Sequence, residues 1–292
     1  IDIIIFDEFH ERGVNSDTAL ALCREVQQQL RPDVRIVVMS ATLLGDEMNN
    51  ASSAGAKLVN ALGGGMTSNY DGDNDEDENQ QQQCKVIRSD GRQYPVEMKW
   101  AKRGYPPHGA LLSTGSRNLL AQTMVDAIEE ALSIAPNKGD VLAFLPGARE
   151  IRDVVTLLKE RGVEDVAEIL PLFGALPKQE QDYAIYRDSA DASSADRRVI
   201  VSSPIAEASL TIEGITCVVD SGLRREPRCD VDTNMPRLIT ARCCKASATQ
   251  RAGRAGRTQE GLCIRLYSEA EYESKFAEHS PPEIWSTDLT PT

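Results

Sequence analysis

The sequence predicts an α/β protein of two parallel-sheet lobes, and three observations carry that prediction. Short apolar runs alternate with helix-length amphipathic segments in both halves of the 292-residue chain. Runs such as Ile1–Phe6 and Val141–Leu145 are continuously apolar, the pattern of strands buried on both faces of a parallel sheet. Charged or hydroxyl-bearing turns follow several of them, at the carboxyl edge where open α/β sheets bind ligands.

Ile1–Phe6 is the opening strand. Ser16 is placed to cap a helix on which Leu22, Val26 and Leu30 recur at helical spacing, and Pro32 ends it. Arg35–Met39 is the next strand and leads into Ser40-Ala41-Thr42. Residues 45–62 read as helix, stopped by three glycines. Residues 66–83 are an acidic, then Gln-rich, low-complexity insertion. Val96–Trp100 is expected to close the first lobe, giving it residues 1–104, with 105–116 as linker around Pro106 and Pro107. The second lobe, 117–272, starts with a helix bearing Leu120, Met124, Ile128 and Leu132 on one face. Val141–Leu145 is its first strand, and Ile151, Val154, Val155 and Leu158 stripe a helix that ends near Gly162. Ile169–Phe173, Val199–Ser202, Cys217–Asp220 and Leu262–Tyr267 are further strands. Residues 273–292 read as the start of an accessory module, and Trp100 and Trp285 as core anchors.

Composition narrows the class. Hydrophobic content of 41% and charged content of 26% suit a globular protein, and no apolar run is long enough to cross a membrane. The seven cysteines lack C-x-x-C spacing and read as reduced thiols of an intracellular protein, whose compartment the sequence leaves open. A net charge of −13 argues against nucleic acid, but six acids lie in the segment 71–78, leaving −7 elsewhere. Residues 224–257 hold eight Arg and one Lys against three acids, so nucleic-acid binding stays open.

Two motifs carry chemistry. DEFHER (7–12) follows the first apolar run: Asp7 is placed for a Mg²⁺ shell, Glu8 for positioning water, and His10 can signal from that pair by hydrogen bonding. QRAGRAGR (250–257) spaces arginines with small residues on an expected helix. Arg254 and Arg257, one turn apart, can converge on a phosphate, while Arg251 pairs within its own lobe. A carboxylate pair and an arginine pair are two halves of a nucleotide-hydrolysing cleft. The Gly-rich loop with its Lys that should precede the acidic strand is absent, so the chain is expected to be a truncated nucleoside triphosphatase.

DEFHER, SAT (40–42), FLPG (144–147), SPIAEASLTI (203–212), VVDSG (218–222) and QRAGRAGR occur in the order seen in DEAH-box helicases of superfamily 2, which the chain resembles over almost its whole length. DEFHER with Pro171–Gly174 and the ending SPPEIWSTDLTP resembles the HrpB-type subgroup. The resemblance implies two RecA-like lobes, the first lacking its opening portion, and an ATP-dependent RNA helicase using Mg²⁺, monomeric and without membrane attachment. Asp7 and Glu8 match the metal- and water-handling pair, Ser40 and Thr42 the coupling motif, and Gln250, Arg254 and Arg257 the phosphate-side residues. Ser203, Ser209 and Thr211 fall in the segment that touches the RNA backbone and senses nucleotide, and Asp220 stands at a nucleotide-site position. Leu223–Thr240 occupies the place of a strand-separating hairpin.

Pro204 departs from the family pattern, Thr-Asn-Ile-Ala-Glu-Thr, by removing an amide side chain and a backbone donor. No base-stacking aromatic is evident in the second lobe; Tyr186 reads as an ordinary core or surface residue. Without the lysine loop this chain is expected to bind ATP poorly and to hydrolyse almost none. The rival readings are a catalytically dead RNA-binding adaptor that keeps the lobes, and a DNA-directed helicase.

Overall fold

A computed structural model describes residues 2–41, 54–63, 84–87, 94–102, 114–135, 139–186, 197–207, 211–229 and 235–285. The chain forms two compact units, Ile1–Gly91 with Pro281–Thr292, and Arg92–Ser280. Residues 42 and 209, the insertion at 66–83 and most of the expected linker fall outside the described residues.

In the first unit β1 (Ile3–Phe6) and β2 (Arg35–Val38) pair in parallel, joined through α1 (Val14–Gln29). This is the expected βαβ order. Phe9 and Leu20 make its small core, with Phe6, Ile36 and Val38 and with Leu58 and Leu62 from the region of α2 (Ala54–Ala61). The strands are not buried on both faces, however. Among the described residues helices cover one face only, and Ile3, Ile5, Val37 and Met39 stay exposed, Ile5 at 59%.

The helix α1 begins two residues before the expected cap Ser16, with Gly13 at the N-cap position. Its Leu22, Val26 and Leu30 keep helical spacing but point to solvent, Leu30 at 74% exposure. The buried face carries Val14, Leu20 and Gln27 instead. Gln27 is inside because its amide donates to the Val34 carbonyl (2.5 Å), which ties the helix to the entry of β2.

The second unit is built on six parallel strands. They are β3 (Val96–Trp100), β4 (Asp140–Phe144), β5 (Glu168–Leu172), β6 (Arg198–Ser202), β7 (Ile215–Asp220) and β10 (Gly261–Arg265), in the order β3-β10-β7-β4-β6-β5. Successive residues of β4 supply opposite cores, as a strand's twofold period dictates. Val141 and Ala143 pack with Leu120, Met124 and Ile128 of α3 (Thr114–Ile134) and with Ile151, Val154 and Leu158 of α4 (Ala148–Glu160). Leu142 and Phe144 pack with Ala184 and Ile185 of α5 (Lys178–Ile185) and with Ala252 of α6 (Lys245–Gly253). Helices on both faces explain why every residue of β4, β6, β7 and β10 is buried.

Val96–Trp100 does not close the first lobe. As β3 it is the edge of this second sheet, paired with β10 from Val96↔Gly261 to Trp100↔Arg265. Its alternating VEMKW pattern is that of a strand with one face covered; Val96 packs into the core and Trp100 beside Tyr267 and Tyr272. The strand order reverses at β4, flanked by β6 and β7, which makes the ends of β4 and β7 the switch point of the sheet. A separate antiparallel hairpin, β8 (Leu223–Cys229) and β9 (Pro236–Arg242), leaves the end of β7 and matches the expected one.

The second unit runs past 272. The helix α7 (Glu269–Lys275) spans the expected boundary, and buried Phe276 lies 4.6 Å from the Tyr267 ring. The Lys245 and Ala246 N–H groups then donate to the Ala277 and Glu278 carbonyls, holding this segment on the start of α6. Trp285 is no core anchor: it is 80% exposed. Among the described residues Cys23, Cys84, Cys217, Cys243, Cys244 and Cys263 are free thiols, and no helix is long and apolar enough to cross a membrane.

Candidate functional site

The acidic motif sits where β1 ends. Asp7 is exposed and Glu8 half-buried. The Glu8 N–H donates to the Asp7 carboxylate (2.8 Å), which points that carboxylate along the turn. Glu8 takes a left-handed conformation (φ 49°), as does Arg12 (φ 54°), and the short 3₁₀ helix Phe9–Glu11 lies between them. Such backbone is costly for residues with a Cβ and clusters at functional turns. The Phe9 N–H donates to the Met39 carbonyl (3.0 Å) and the Met39 N–H to the Phe6 carbonyl (2.7 Å). DEFHER and the exposed Ser40 therefore share one edge, as the βαβ reading requires. His10 Nδ1 lies 3.4 Å from a Glu8 carboxylate oxygen.

The arginine motif is not one continuous helix. The helix α6 ends at Gly253, and the Arg254, Ala255 and Gly256 N–H groups bond three residues back in a tightened turn. Arg254 and Arg257 are thus not successive ridges of one face. Arg254 is buried, and its Nε and Nη2 both donate to the Glu207 carbonyl. Arg257 is exposed beyond the turn, and its Nη1 donates to Thr211 Oγ1 (2.9 Å). Desolvation lowers the Arg257 pKa from its ordinary value. Gln250 is half-buried on α6.

Beneath these residues lies a buried ion cluster. Arg251, at 0% exposure, donates from Nε to a Glu207 carboxylate oxygen (2.9 Å) and from Nη1 to Asp220 Oδ1 (2.9 Å) and the Leu223 carbonyl (3.1 Å). Burial alone would lower the Arg251 pKa; the acidic groups of Cys243, Asp220 and Glu207 instead hold it well above its usual value. Asp220 Oδ1 also accepts from the Gly222 N–H (2.9 Å), and its Oδ2 accepts from the Tyr267 hydroxyl (2.9 Å). Burial, then the Asp220 charge, raises the Tyr267 pKa, so the phenol stays a donor. The expected nucleotide-site Asp220 is therefore fully buried, with both oxygens taken by its own lobe. Arg251 pairs within that lobe, as its spacing suggested.

The segment after β6 explains Pro204. The Ser203 N–H donates to the Leu172 carbonyl (2.9 Å), and Pro204 opens the 3₁₀ turn Pro204–Ala206. A first-turn position needs no N–H, so the lost donor costs the fold nothing there. Ser203 is half-buried, while Ser209 and Thr42 lie outside the described residues. Sequence reasoning missed Glu207, which holds both Arg251 and Arg254, and Glu150, whose carboxylate accepts from Arg225 (2.8 Å) at the base of the hairpin. Each stands inside a motif already singled out or next to one, but nothing in its spacing names its partner. Tyr186 is a surface residue, at 65% exposure.

An all-parallel sheet with an arginine turn over its carboxyl edge defines the class, and residues 123–259 match the helicase conserved C-terminal domain. The chain as a whole is akin to DEAH-box ATP-dependent RNA helicases. It is 36% identical to the ATP-dependent RNA helicase HrpB of Escherichia coli (strain K12) over 99% of its own length and 30% of that protein. It is 35% identical to a probable ATP-dependent RNA helicase, a DHX35 homolog of Caenorhabditis elegans, over 99% of the chain and 35% of that protein. The crystal structure of the E. coli DExH-box NTPase HrpB superposes with a TM-score of 0.73 at 35% identity, covering 99% of this chain and 30% of that one. The chain thus spans about a third of each of these relatives.

Proposed function

We propose that this chain belongs to the motor of a DEAH-type helicase that couples ATP hydrolysis to movement along RNA and duplex opening. The observation that carries the reading is the motif series from DEFHER to QRAGRAGR in family order, over a chain 36% identical to HrpB. In this reading the functional lobes follow the two compact units. Asp7 would hold Mg²⁺, and Glu8 orients the attacking water. An oxygen-only donor pair suits that hard cation. His10 and Ser40 relay the state of this turn. Gln250, Arg254 and Arg257 serve the phosphates. Thr211 is bonded to Arg257 and senses the nucleotide, and Ser203 and Ser209 meet the RNA backbone.

Arg257 is the better arginine finger of the pair, because Arg254 is occupied by the Glu207 carbonyl and buried. A phosphoryl oxygen can replace the Thr211 hydroxyl at Arg257 at little cost. The chain contains no lysine-bearing Gly-rich loop, so the β- and γ-phosphates lack their main cradle within it. A phosphate-release assay with and without RNA tests this. This chain alone should show no stimulated turnover, and RNA-stimulated hydrolysis by it would refute the assignment of roles. The adaptor reading draws on the same missing loop, and wins if a protein carrying this chain together with such a loop is equally inert.

A further inference from the structure

The acidic turn is held from the far end of the sequence. Of its two left-handed residues, Glu8 is braced locally, next to the Phe9–Met39 hydrogen bond. Arg12 is braced by residue 283. The Glu283 N–H donates to the Arg12 carbonyl (3.0 Å), and the Val14 N–H donates to the Glu283 carboxylate (2.9 Å). One residue thus fastens the backbone on both sides of Gly13. Gly13 stands at the N-cap of α1 and has no side chain to cap it; Glu283 does that work from 269 positions away. A Cβ at Gly13 would lie 3.7 Å from the Glu283 carboxylate, so the two are in van der Waals contact range. The Arg12 guanidinium in turn forks onto Asp17 (3.0–3.2 Å) and lies over the Phe9 ring (5.8 Å). An unbroken series of contacts therefore runs from Glu283 through Arg12 and Phe9 to Glu8 and Met39.

We propose that Glu283 is a positioning residue for Asp7 and Glu8. The segment Pro281–Trp285 acts as a strap whose engagement sets the bend of DEFHER, so that any partner or lobe movement that lifts the strap slackens the acidic pair. The inference rests on the hydrolytic reading of Asp7 and Glu8 for its meaning, but not for its test.

The test is hydrogen exchange by mass spectrometry on the full chain, with NMR of the imidazole signals of His10, one of three histidines. In Glu283→Ala, amides of residues 9–17 should exchange about fivefold faster, the factor expected for a lost helix cap. Peptides from α4 and α6 should keep their rates, and the His10 signals should move. Glu283→Gln, which keeps an acceptor oxygen at the same reach, should restore both readouts. Unchanged exchange and His10 signals in Glu283→Ala would overturn the proposal, as would equal loosening of α4 and α6, or no rescue by Gln. Should the Ala variant fail to fold, Glu283→Asp, with its carboxylate drawn back by one methylene, gives the same reading at smaller amplitude. No nucleotide enters these measurements, so their failure is distinct from failure of the hydrolytic assignment.

Discussion

Replacing Arg251 by Met should be among the most destabilising single changes in the second unit. The guanidinium is fully buried and donates to Glu207, Asp220 and the Leu223 carbonyl. It also lies 5.2 Å from the centre of the Phe144 ring. Met fills much of the volume but leaves Asp220, itself at 0% exposure, with only the Tyr267 hydroxyl and the Gly222 N–H. Removing one partner of a buried ion pair costs about 3–5 kcal/mol, against a domain stability of about 5–15. With a urea slope of about 2 kcal/mol per molar, the midpoint should fall by roughly 1.5–2.5 M. Circular dichroism during urea titration reads this directly. In Arg251→Met/Asp220→Asn the fully buried of the two unpaired charges is gone, so the double change should cost less than the sum of the singles by at least ~1 kcal/mol. A cost below ~1 kcal/mol for Arg251→Met, or additivity in the cycle, would show that the cluster behaves like a surface pair and that its burial has been misread.

Other outcomes follow from the same structure. Burial pushes the Cys217 and Cys243 thiols up to about 12, so the native state keeps protons that unfolded thiols lose from about pH 9. Stability should therefore be full below pH 9 and fall between pH 9 and 12 by about 1.4 kcal/mol per pH unit for each thiol, and pH-dependent urea melts of Cys243→Ala should show a shallower fall. Gly222→Ala should lower the melting temperature measurably, because Gly222 has φ +69° and a Cβ there would come within 2.6 Å of the Tyr267 ring. Ile5→Lys should reduce self-association in light scattering, since Ile3, Ile5, Val37 and Met39 form an uncovered apolar sheet face. In a protein joining this chain to a lysine-bearing phosphate loop, Arg257→Ala should cut RNA-stimulated turnover by about 10³-fold or more; a near-normal rate would reassign the finger.

Most of the second lobe was legible because its strands are covered on both faces. Runs such as Val199–Ser202 announce themselves without any knowledge of their neighbours. The edge strand β3 was harder. Its VEMKW pattern says strand, but pairing is a property of two segments, and the partner Gly261–Arg265 lies far downstream. The α1 stripe shows the converse failure: helical spacing was right, yet apolar spacing cannot tell which face meets the sheet, and Gln27 rather than Leu30 faces inward. At the candidate site, residue types and order were readable from DEFHER and QRAGRAGR. The partition of the arginines was not, since Glu207 and Asp220 decide it by contacts between segments.

The pairing of β3 with β10 also sets a timetable for biogenesis. Val96 and Gly261 are separated by more than half the chain, and among the described residues β10 is the only strand that β3 pairs with. At ribosomal speeds of about 5–20 residues per second, β3 waits roughly ten to thirty seconds for its neighbour to be made. Until then its backbone amides must stay hydrated or be shielded by a chaperone. The nascent polypeptide is then most open to proteolysis and misassembly, and slower decoding between the two segments would prolong that exposure.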